Sequence, residues 1–156
     1  MYTGIYFLIE AIFYSLLLMT IYFRKKVFKS KENKVYSILV IASFIELIVE
    51  LILDFVGPKY QTIPQVSYFV ARLFSLCVEL WITILLCYVL FVCLGIKKKE
   101  KYIPTVRNIA FVFMIIFATL NFMLPLNFKY DGYIAYTYGP SVNIIYISAF
   151  VYSFIG

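Results

Sequence analysis

The chain has no histidine. That one absence removes Ser-His-Asp and Cys-His nucleophile arrangements, and any metal or haem centre with an imidazole ligand. Charge is scarce too: only 14% of residues are Asp, Glu, Lys or Arg, whereas 64% are hydrophobic and 21% aromatic. A water-soluble domain of 156 residues cannot hide that much apolar surface, but lipid can cover it. The three cysteines (Cys77, Cys87 and Cys93) all fall in one apolar segment. An odd set with no partner elsewhere argues against disulfide staples. Glycine is sparse and the five prolines lie in loops or near a segment end. The glycine- or proline-broken helices common in transporters are therefore not visible. Internal repeats and linkers are lacking as well.

What is present is a series of apolar runs at 4–23, 36–56, 66–95, 108–126 and 141–156, separated by short loops. A run of 20 residues at 1.5 Å per residue spans a hydrocarbon core of ~30 Å. These spacings predict an all-α, polytopic transmembrane helical bundle of about five spans, forming a single domain that meets the lipid bilayer directly. The third run would be about 45 Å long as one helix, so it must tilt or protrude. The fifth stops after 16 residues with no basic anchor. It reads as a truncated span, and the chain as the N-terminal fragment of a longer protein. No cleaved signal peptide is expected, since the first positive cluster, Arg24-Lys25-Lys26, follows the first run instead of preceding it.

Orientation follows from the basic residues. The 24–34 and 97–107 loops hold six and five Lys or Arg, while the alternate loops hold only Lys59 and Lys129. By the positive-inside rule the two basic loops are cytoplasmic and the N-terminus is extracellular, in a multi-pass cell-membrane protein. The net charge of +6 is thus spent on topology, and nucleic acid is not an expected partner. The 127–140 loop, rich in tyrosine, suits an interfacial belt.

The polar residues inside the runs carry the functional signal. In the second run Ser43, Glu46, Glu50 and Asp54 are spaced three, four and four apart and share one helix face. In the third, Tyr68, Arg72, Ser75, Glu79 and Thr83 form a second stripe. Glu10 interrupts the first run. Depth counting places Glu10, Glu50 and Arg72 each about 9 Å below the outer edge, with Asp54 shallower and Glu46 and Glu79 near the middle. An Arg72–Glu50 pair is the natural contact of an antiparallel hairpin. Five acids against one base leave carboxylates that must hold a proton, find a cation or face water. We therefore expect Glu10, Glu46, Glu50, Asp54, Arg72 and Glu79 to converge on an acidic, partly hydrated pocket in the outer half, suited to a cationic or small-molecule ligand or to a proton-linked signal. Trp81 lies off the stripe and is expected to pack on lipid or a neighbour. Asn121 and Asn143 are placed to bond between helices, and Gly139-Pro140 before Ser141 suits a turn and a helix cap. No catalytic, metal or cofactor residues are predicted.

The run Glu32-Asn33-Lys34-Val35-Tyr36-Ser37-Ile38-Leu39-Val40, with the acidic span after it, resembles the N-terminal membrane region of Firmicutes sensor proteins. The stretch Tyr136-Thr137-Tyr138-Gly139-Pro140-Ser141-Val142-Asn143 is similar to the same family. The resemblance implies a multi-span sensor preceding a cytoplasmic output domain, usually a histidine kinase and in some proteins a diguanylate cyclase, with dimerisation through the parent protein. A small secondary transporter carrying protons or cations on Glu46, Glu50 and Glu79 is the competing expectation from the residues themselves.

Overall fold

In the computed structural model the described residues are 2–24, 31–96, 103–130 and 135–155. Most of both basic loops lies outside them. Five helices run in order: α1 (Tyr2–Arg24), α2 (Lys31–Val56), α3 (Pro64–Ile96), α4 (Ile103–Met123) and α5 (Pro140–Ile155). Proline opens α3 and α5, where its missing N–H costs nothing. A single 3₁₀ turn, Gly57–Lys59, closes α2. The Ser67 hydroxyl then ties the start of α3 back to the Val56 carbonyl at 3.1 Å.

Successive helices are antiparallel, as their contacts show at both ends. At the basic end the Tyr22 hydroxyl donates to the Asn33 carbonyl at 3.0 Å, and Tyr36 bridges Tyr22 and Tyr88 at ring separations of 5.1 and 5.6 Å. Deeper in, Leu39 and Ala42 of α2 pack on Ile84 of α3. Leu86 and Cys87 of α3 pack with Ala110 and Phe117 of α4 and Tyr152 of α5. Helix α3 is thus the hub, touching α2, α4 and α5, whereas α1 leans chiefly on α2. None of the described side chains of α1 is buried.

Three helices, α1, α3 and α4, contain segments long and apolar enough to cross a membrane. Helix α3 has 33 residues, about 50 Å, and so exceeds the core as expected. Phe7, Phe13, Ile115 and Phe150 stand largely exposed around the bundle. That is a costly surface in water and an ordinary one in lipid.

The 127–140 segment differs from the expected loop. Its residues 127–130 and 135–138 pair as a β-hairpin of two antiparallel strands, β1 (Asn127–Tyr130) and β2 (Ala135–Tyr138), in the register Asn127↔Tyr138 and Phe128↔Thr137. A two-stranded ribbon is marginal alone, and this one is anchored by buried Phe128. The Phe128 ring stacks on Tyr60 at 5.5 Å and meets Tyr68 edge-on at 5.1 Å. Alternating tyrosine, threonine and phenylalanine favour a strand. The same tyrosines had read as an interfacial belt. Gly139 ends the hairpin with φ +118°, and a Cβ there would meet the Pro125 carbonyl at 3.1 Å. The turn therefore requires glycine.

Candidate functional site

The six ionisable residues picked from the sequence do not converge. Helix α3 turns a different side to each neighbour. Cys77, Trp81, Ile84 and Tyr88 run down the side that meets α2, with Cys77 near Glu46, Trp81 bonded to Ser43, Ile84 against Leu39 and Tyr88 against Tyr36. At about 100° per residue, the stripe of Tyr68, Arg72, Ser75, Glu79 and Thr83 lies roughly half a turn round the helix. It points away from α2, toward α4 and α5. Two polar stripes of similar spacing therefore sit on different interfaces.

Arg72 does not pair with Glu50. Its guanidinium donates to the Asn121 carbonyl and, at 2.9 Å, to the Leu124 carbonyl, and it lies 5.9 Å from the Phe122 ring centroid. These carbonyls lie at and just past the C-terminal end of α4, where helix carbonyls lack intrahelical partners and the helix dipole is negative. A helix terminus thus takes the place of the carboxylate. Asn121 extends the clamp to α5: its amide donates to the Ser141 carbonyl at 3.2 Å, and the Ser141 hydroxyl donates to the Asn121 carbonyl at 3.1 Å. Asn121 thus bonds between helices as its position implied, whereas Asn143 is exposed.

Glu79 is 3% exposed in the α3–α5 interface. The Ser148 hydroxyl contacts its Oε2 at 2.5 Å, while its Oε1 is buried without a hydrogen-bond partner. One turn on, Thr83 reaches the Tyr152 hydroxyl at 3.2 Å, and that hydroxyl donates to the Ala110 carbonyl of α4 at 3.4 Å. A buried polar chain thus crosses three helices. The sequence reading takes Ser141 only as part of a turn and helix cap, and does not single out Ser148 or Tyr152. Their spacing of seven and four on α5 was the available signal, weakened because serine and tyrosine are ordinary in membrane helices.

The α2 acids have a different setting. Glu46 and Glu50 are half-buried, Asp54 is exposed, and each lies within Coulombic reach of the next. No ion pair within 4 Å joins them to a base among the described residues. Glu10 is exposed on α1, apart from both stripes. Trp81 is a neighbour-packing residue with one addition: its indole N–H donates to the Ser43 hydroxyl at 2.6 Å, linking the α2 stripe to α3.

Two hollows flank α3. A cavity of about 390 Å³ opens at the hairpin end between α2, α3, α5 and the β-hairpin, with Asp54 and Ser75 on its wall. A larger apolar cleft of about 830 Å³ lies nearer the basic end between α2, α3 and α4, with Arg107 and Asn108 among its lining. The hairpin-end cavity is the better candidate site, because a charged group, hydroxyls and aromatic rings meet there in a volume suited to a small ligand. No protein-family model, curated protein or solved structure matches the chain.

Proposed function

We propose that this chain is the membrane-embedded sensor segment of a bacterial signalling protein, of the kind that the resemblance links to two-component histidine kinases. The observation that carries this reading is the contrast at α3. The stripe toward α4 and α5 is tied into hydrogen bonds, while the α2 acids have no cationic partner among the described residues, and Asp54 lines a cavity beside the β-hairpin. Charges kept at membrane depth without structural partners point to function. On this reading the hairpin end faces outside, because the basic residues of the 24–34 and 97–107 stretches favour the cytoplasmic side by the positive-inside rule. A signal arriving at Asp54 or Glu50 alters how α2 seats on α3. Helix α5, held to α3 by Glu79–Ser148 and to α4 by Asn121–Ser141, carries that shift toward a cytoplasmic output domain.

The test is signalling output of the full-length protein in membrane vesicles. Replacing Glu50 by Gln and Asp54 by Asn together should fix the output at one level across conditions. An unchanged response would contradict the reading. Proton or cation flux in proteoliposomes, abolished by Glu46→Gln, would instead establish a transporter.

A further inference from the structure

Resting on that sensor reading, we propose that the hairpin-end cavity binds a small organic cation, a quaternary or protonated amine, with the Asp54 carboxylate as counter-charge and aromatic rings as its wall. Asp54 is the single Asp, Glu, Lys or Arg among the lining residues, and Phe74, Phe128, Tyr136 and Tyr146 line the same space. Its neighbour one turn back, Glu50, deepens the negative potential. Lys59 and Lys129, the basic residues flanking this end, are not in the wall, and neither pairs with Asp54 among the described residues.

Charge of one sign excludes an anion. The composition of the wall also does not suit a dehydrated calcium ion, which takes six to eight oxygen ligands. One carboxylate, the hydroxyls of Ser75 and Thr137 and a mainly apolar surround supply too few. An alkylammonium group needs a different set: one anion, ring faces for cation–π contact and apolar surface for its carbon body. One carboxylate, four aromatic side chains and apolar surface line this cavity together. The cavity, at about 390 Å³, is roomy for such a molecule. The same chemistry is carried by a free amine and by an amine-bearing lipid headgroup.

The experiment uses the full chain in nanodiscs of phosphatidylglycerol, which has no choline group, with radiolabelled choline as the probe. Saturable binding of one choline per chain is expected. Its neutral carbon isostere, 3,3-dimethylbutan-1-ol, should compete at least about tenfold less well, since it lacks the charge that Asp54 answers. Asp54→Asn should weaken choline binding by about tenfold or more, with Asp54→Glu largely restoring it and the exposed Thr119→Ala without effect. Circular dichroism confirms that each variant keeps its helices. Doping the discs with phosphatidylcholine separates the sources: competition identifies a lipid headgroup, and no competition a free amine. Absence of saturable binding, equal affinity in Asp54→Asn, or equal competition by the isostere overturns the proposal. If it falls while the Glu50→Gln, Asp54→Asn pair still fixes signalling output, the cation chemistry alone is wrong. If output also responds normally, the sensor reading falls with it.

Discussion

The acidic stripe of α2 and the polar stripe of α3 look alike in the sequence and behave differently in the fold. Both repeat every three or four residues on apolar helices, and both hold carboxylates. On α3 the stripe is largely buried, and Arg72, Ser75, Glu79 and Thr83 are all engaged in hydrogen bonds to side chains or carbonyls. On α2, Glu46, Glu50 and Asp54 are half-buried or exposed and lack a basic partner among the described residues. Spacing establishes which residues share a face. It does not establish what that face meets, because the answer depends on how the partner helix is turned.

Substitutions can sharpen this contrast, with stability read by denaturant titration in detergent micelles. The largest loss is expected for Arg72→Leu, which removes two charge-assisted hydrogen bonds from the end of α4, roughly 3 kcal/mol. Glu79→Ala should follow at roughly 2 kcal/mol, leaving Ser148 without its carboxylate and a small void between α3 and α5. Glu79→Gln, which keeps the volume, should lose less. Trp81→Phe deletes the hydrogen bond to Ser43 and part of the ring packed between the two helices, about 1.5 kcal/mol. Glu50→Gln should be smallest, within about 0.5 kcal/mol. A loss at Glu50 as large as that at Glu79 would erase the distinction between the stripes.

Much of the architecture could be read from the residues because it rests on length and composition. The third helix follows from the apolar run at 66–95, although it starts two residues earlier, at Pro64, which the sequence reading leaves in a loop; the turn at Gly57-Pro58 follows from a proline that cannot continue the helix and a glycine that permits the turn. The hairpin at 127–138 was missed, since its strands are four residues each and stand only because Phe128 is seated among Tyr60 and Tyr68. The sequence shows which polar residues lie within the apolar runs, but not how the fold groups them. Depth along the membrane placed Arg72 level with Glu50, yet depth ignores rotation. The apolar repeat of Cys77, Trp81, Ile84 and Tyr88, had it been taken as the α2-facing side, would have turned Arg72 away. The C-terminal carbonyls of α4 as a counter-charge carry no sequence signature beyond the position of Pro125.

The most direct test is a double-mutant cycle between Arg72 and Glu50, using Arg72→Leu, Glu50→Leu and the pair. Because these side chains occupy different interfaces, the two costs should add, with a coupling energy within about 0.5 kcal/mol of zero. A favourable coupling above about 1 kcal/mol, with the double variant recovering stability lost in Arg72→Leu, would mean that the stripes face each other and would contradict the account.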